Sequence, residues 1–174
     1  MRSFAHEKST GTYESLMTTP VTPLQVLGSK FMSCWLFYGL LWFPLWLMMI
    51  WLGRFFNDPG YLDAGIIAGT SLGVMLVGAL FLSIGCLASV LTQSQLIAAM
   101  MALTLEMALF MLSFVIYLLP DQSGWQAALF EHISLFNHMS DFVRGIVDGR
   151  HLAFYLCATA LSLFATWRWV ESHK

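Results

Sequence analysis

Polar and apolar positions along this chain are segregated into long blocks rather than interleaved. Residues 31–53, FMSCWLFYGLLWFPLWLMMIWLG, carry no charged side chain. A second uncharged stretch runs over 64–105, about twice the ~20 residues a helix needs to cross the hydrocarbon layer. It is broken by Thr92-Gln93-Ser94-Gln95, which reads as a tight turn between antiparallel helices. The pattern predicts four helices, near 24–53, 63–91, 96–119 and 152–170, each closing its own backbone hydrogen bonds as a bilayer interior demands. Thr22-Pro23 has the form of an N-cap followed by a first-turn proline. Asn57-Asp58-Pro59-Gly60 is a turn signal between the first two helices. Pro120-Asp121 should end the third, and Pro44 should kink the first.

Composition supports lipid as the solvent. Apolar residues make up 58% and charged residues 10% of the 174, against about 25% charged in ordinary soluble domains. Mean hydropathy is +0.71. The expectation is an all-α, polytopic transmembrane bundle forming a single domain over 1–174. A net charge of -2 gives no reason to expect a nucleic-acid partner. Cys34, Cys86 and Cys157 each lie in an apolar stretch and read as small packing residues rather than disulfide or metal partners.

Four spans place both termini on one side. That side holds Arg2, Lys8, Lys30, Arg168 and Lys174, and the other holds Arg54, Arg144 and Arg150 with six acidic residues. The excess of Lys and Arg predicts cytoplasmic termini, with 121–150 outside. Within 121–150 the apolar clusters 125–130 and 142–147 are too short to span. They read as two short interfacial or re-entrant helices.

Candidate chemistry is sparse. GTSLG at 69–73 matches the spacing of a serine nucleophile elbow, but that motif needs a strand-to-helix turn, and here it sits inside a lipid-length helix. Gly65, Gly69 and Gly73 at spacing four read instead as a smooth packing ridge. Trp35, Trp42, Trp46 and Trp51 crowd the first helix; Trp42 and Trp46 lie too deep for the membrane interface and read as packing surface. Glu106 is an acidic residue at membrane depth, so it should face an interior, a water-filled path or a partner. It is a candidate for a translocation path. Glu131, His132, His138 and Asp141 are ligand-type residues without a dedicated metal spacing, and read as solvated. No phosphate-binding G-x-x-x-x-G-K-[ST] loop occurs, so no enzyme activity is expected of this chain.

Two stretches then resemble a known family. FAHEKSTGTYESLMTTPVTPLQVLGSKF near the start is similar to the cytoplasmic segment of ABC-type-2 transporter permeases, of the gliding-motility-like or multidrug-type branch. Phe4, Ala5, Glu7, Lys8, Gly11, Thr12, Glu14, Leu16, Pro20, Val21, Lys30 and Phe31 carry the likeness. SLFNHMSDFVRGIVDGRHLAFYL, 134–156, is similar to the family's last outer segment through Phe142, Arg144, Gly145 and Asp148.

The resemblance implies a permease subunit of an ATP-driven exporter in the bacterial inner membrane. It would pair with a second permease subunit, as a homo- or heterodimer, and with an ABC ATP-binding subunit that holds ATP and Mg. No cofactor is implied for this chain. Residues 1–22 would be the coupling segment, with Glu7, Gly11, Thr12, Glu14, Leu16 and Pro20 against the ATPase. Phe142, Arg144, Gly145 and Asp148 would belong to an outer gate. Family members usually carry six spans, so the four expected here correspond to a chain lacking the N-terminal pair. The turn at 93–95, usually basic in the family, is Gln-Ser-Gln. The rival readings are a non-transporting assembly or scaffold protein, a truncated permease fragment, and an intramembrane enzyme using Glu106 or Ser71.

Overall fold

The computed structural model describes residues 23–56, 63–92, 94–118 and 133–172. Among them are five helices and no strand: α1 (Pro23–Phe56), α2 (Ala64–Leu91), α3 (Gln95–Leu118), the short α4 (Leu135–Val143) and α5 (Gly149–Ser172). Three are long and apolar enough to cross a membrane, over Leu24–Phe55, Gly65–Leu91 and Gln95–Val115. α1, at 34 residues, is about 50 Å long, more than the ~30 Å hydrocarbon core, and it continues as helix through Pro44. α2 contains five glycines. In water each would cost about 1 kcal/mol of helix stability. In lipid the alternative is an unpaired backbone, so the helix holds.

The polar breaks act as caps. The Asp63 side chain accepts a hydrogen bond from the Gly65 N–H at 3.0 Å and starts α2. Thr92 ends it, with its hydroxyl donating to the Ala88 and Ser94 carbonyls, both at 3.4 Å. The Ser94 carbonyl then receives the Ala98 N–H at 3.0 Å as α3 begins.

α2 is the centre of the bundle, packing against each of the other four helices. Near the C-terminal end of α2, Leu27 and Phe31 of α1, Cys86 and Val90 of α2 and Val170 of α5 form one apolar cluster. At the other end, Leu80 of α2, Phe142 of α4 and Tyr155 of α5 form a second. The remaining apolar surface of α1 and α3 points outward, including Leu36, Phe37, Leu40, Met100, Leu103 and Phe110. A face of that extent suits lipid or a partner subunit and not water.

α5 falls outside the set of three apolar spans for a visible reason. Its polar residues Thr159, Ser162 and Thr166 are all buried, on one stripe with Tyr155 and Val170. The stripe lowers the helix's apolar content while facing protein. Ser162 and Ser83 of α2 share a hydroxyl–hydroxyl hydrogen bond, and Thr166 donates to the Ser162 carbonyl at 2.7 Å.

The segment before α5 differs from the sequence expectation. The helix covers Leu135–Val143, whereas the rest of the apolar cluster 142–147 forms a turn at 144–145 and an irregular link over 146–148. The helix also does not rest only on a surface, because Leu135, His138 and Phe142 are buried. Residues 125–130 lie outside the described residues.

Candidate functional site

The glycine ridge of α2 meets α4 rather than another long helix. α4 stops at Val143 because Gly145 takes φ +76°, a conformation that favours a residue without Cβ. The Gly145 N–H donates to the Phe142 carbonyl at 3.0 Å and the Ile146 N–H to the Asp141 carbonyl at 2.9 Å, the paired bonds of a Schellman cap. The cap lies directly on the ridge. A Cβ on Gly69 would sit 2.6 Å from the Phe142 carbonyl oxygen and 3.2 Å from the Gly145 Cα. One on Gly73 would sit 2.8 Å from the Phe142 ring, and one on Gly145 would lie 3.3 Å from the Gly65 backbone.

The other end of α4 is fixed by α3. The Leu135 N–H donates to the Ser113 hydroxyl at 3.2 Å, and that hydroxyl donates to the Leu109 carbonyl at 3.0 Å. Ser134 caps α4 by accepting from the Asn137 N–H at 3.4 Å. A third tie runs to α5, where His151 Nε2 lies 3.0 Å from Asp141 Oδ2. His138 is 1% exposed, with its ring centroid 4.0 Å from that of His151. It is therefore packed between helices and not solvated, as a sequence reading alone would have it. Glu131 and His132 lie outside the described residues. Among those described, no group of three His, Cys, Asp or Glu side chains is placed to hold a metal ion.

The family-like positions take distinct places. Phe142 is fully buried and Gly145 forms the cap. Asp148 opens α5 by accepting from the Arg150 N–H at 3.0 Å, while Arg144 is exposed. Ser71 sits in unbroken helix with its hydroxyl donating to the Ala68 carbonyl at 2.9 Å, which gives it no nucleophile geometry. Glu7, Gly11, Thr12, Glu14, Leu16 and Pro20 lie outside the described residues.

Glu106, at the middle of α3, lines a cavity of about 340 Å³ with Cys34, Tyr38, Phe81, Cys86 and Ser89. α1 and α3 supply its two sides and α2 its floor. The Tyr38 ring lies against Gly78, where a Cβ would approach Cζ to 2.6 Å, and its hydroxyl donates to the Val74 carbonyl at 3.3 Å. The Trp35 indole N–H donates to the Met75 carbonyl at 3.4 Å. These two bonds, both to backbone carbonyls of α2, dock the first half of α1.

Sequence reasoning missed Ser113, the Asp141–His151 pair and the hydroxyl stripe of α5. Only the stripe had a signal, hydroxyls recurring at Tyr155, Thr159, Ser162 and Thr166 with helical spacing in an apolar segment. Ser113 acts on a backbone amide 22 residues away and His151 on a side chain ten residues away across a turn, and one sequence holds no trace of either contact.

Comparison with known proteins agrees with this all-helical, membrane-length architecture. No match was found among curated proteins or among solved structures. The family model described as ABC-2 family transporter protein matches residues 1–166, nearly the whole chain, and the chain belongs to that family of membrane transporter components.

Proposed function

We propose that this chain is the membrane-spanning permease subunit of an ATP-driven exporter, with ATP and Mg held by a separate ABC ATP-binding subunit. The family match over residues 1–166 carries the reading. In this arrangement α5 is a fourth span, supported by its 24 residues and by the absence of Asp, Glu, Lys and Arg between Arg150 and Arg168. Its hydroxyls are covered by neighbouring helices, so they are compatible with lipid around it. Both termini then face the cytoplasm across the inner membrane, as the distribution of Lys and Arg favours.

Residues 1–22 serve as the coupling segment, with Glu7, Gly11, Thr12, Glu14, Leu16 and Pro20 contacting the ATPase. Closure of an ATPase pair moves the spans of two permease subunits as rigid bodies and alternates access. Phe142, Arg144, Gly145 and Asp148 belong to the outer gate, and Glu106 lies on the path. The tagged chain solubilised from its native membrane should co-purify a P-loop ATPase that hydrolyses Mg-ATP. The variant Glu14→Lys should insert normally yet lose that ATPase. If no ATPase accompanies the wild-type chain, the transport reading fails. If Glu14→Lys retains it at wild-type yield, the coupling assignment fails.

A further inference from the structure

The cavity beside Glu106 has a chemical character more specific than a generic path. Its volume of about 340 Å³ is at the lower end of ligand cavities, roughly 300–1,000 Å³. Among the described residues of its lining, Glu106 is the single charged one, and no Lys, Arg or His faces it there. No hydrogen bond or ion pair engages the Glu106 carboxyl group among the described residues. A carboxylate so placed attracts positive charge more strongly than it would in water.

The rest of the lining is mainly apolar, with two aromatic rings. Tyr38 is held by Gly78 and by its bond to Val74, so its position is set before any ligand arrives. Aromatic rings beside a cation add a further attraction. A hard divalent ion is a poor fit, since it wants six or more oxygen ligands and among the described residues the lining side chains with oxygen are Tyr38, Ser89 and Glu106. α1 and α3 flank α2 with little direct contact between them, so the cavity opens sideways between two lipid-length helices. A molecule reaching it by that route partitions into membranes.

We propose that the cavity between α1, α2 and α3 binds an amphipathic monocation, with Glu106 as its counter-charge and the Tyr38 and Phe81 rings as its walls. This deepens the transport reading by naming a substrate class and rests on it for that meaning. Binding itself requires neither ATPase nor nucleotide.

The test uses the full chain purified in detergent and equilibrium dialysis with two labelled probes, each alone: tetraphenylphosphonium and its charge-reversed counterpart tetraphenylborate. The phosphonium should bind saturably and the borate should not. Glu106→Asp should retain binding, Glu106→Gln should weaken it at least about tenfold, and Cys34→Trp, which fills the cavity, should abolish it. Both losses should occur in variants that elute as the wild type does in gel filtration. Equal binding of the two probes, equal affinity in Glu106→Gln, or no saturable phosphonium binding overturns the proposal. Phosphonium binding by a chain that recruits no ATPase would leave the site standing and the transport reading refuted.

Discussion

Replacing Gly69 with Ala should lift α4 from α2. A Cβ there would stand 2.6 Å from the Phe142 carbonyl oxygen, well inside van der Waals contact. The obstacle is backbone, and the Gly145 Cα is also only 3.2 Å away, so no rotamer change relieves it. Overpacking of this kind costs about 1–3 kcal/mol. The cost falls on the seat of α4 and not on α2, whose own helix propensity the alanine improves by up to about 1 kcal/mol. Opening of α4 should therefore become roughly 5- to 150-fold more frequent.

Hydrogen–deuterium exchange of the amides of 135–143, in detergent or nanodiscs, reads that change directly. Gly28→Ala provides the comparison. A Cβ at Gly28 would have no neighbour within 4 Å, so that variant should leave exchange in α4 as it is in the wild type. If Gly69→Ala leaves exchange of 135–143 within about twofold of Gly28→Ala, α4 is not seated on the ridge and the reasoning fails.

Gly145→Ala should be costlier than Gly69→Ala, because it adds the strain of φ +76°, about 1–2 kcal/mol, to contact with the Gly65 backbone at 3.3 Å; thermal unfolding in detergent compares the two. Ser83→Ala and Ser162→Ala should each destabilise, and a double-mutant cycle should give a coupling of about 0.5–1.5 kcal/mol for their shared hydrogen bond. Zero coupling would remove that bond from the α2–α5 interface. Tyr155→Phe should be neutral or stabilising in the same melt, because the Tyr155 hydroxyl is buried and has no hydrogen-bond partner among the described residues, and its removal abolishes a desolvation cost of about 1–3 kcal/mol. A clear loss of stability would mean that the hydroxyl has work the structure does not display.

How far the fold could be read from the chain depends on the kind of contact involved. The edges of α2 and α3 follow from local chemistry: Asp63 caps one helix and the polar cluster at 92–95 separates it from the next. Such caps act over a few residues and leave their mark in the sequence. The ridge of Gly65, Gly69 and Gly73 announced that some backbone would approach closely, but not which one. Its occupant is a turn about seventy residues further on, selected by the φ of Gly145 and by the fit of the Phe142 ring. His138 shows the same gap. By type it belongs on a solvated face, yet the bonds of Ser113 at one end of α4 and the cap at the other rotate it inward. Glu106 was conspicuous in the sequence, but Tyr38 and Phe81 beside it are ordinary aromatics among many until the helices are assembled.

Pro44 divides α1 into two mechanically different halves. Before it, Trp35 and Tyr38 bind the carbonyls of α2, and Leu27 and Phe31 are buried in the cluster near the C-terminal end of α2. After it, residues 45–55 include none that is buried. At the junction, the proline removes one rung of the helix's hydrogen-bond ladder and weakens resistance to bending. The first half of α1 is thus a spar bolted to the bundle, and the second is a boom hinged at Pro44. Among the described residues the boom contributes no buried side chain, so its angle answers to its surroundings, lipid or a neighbouring subunit, more than that of the first half does.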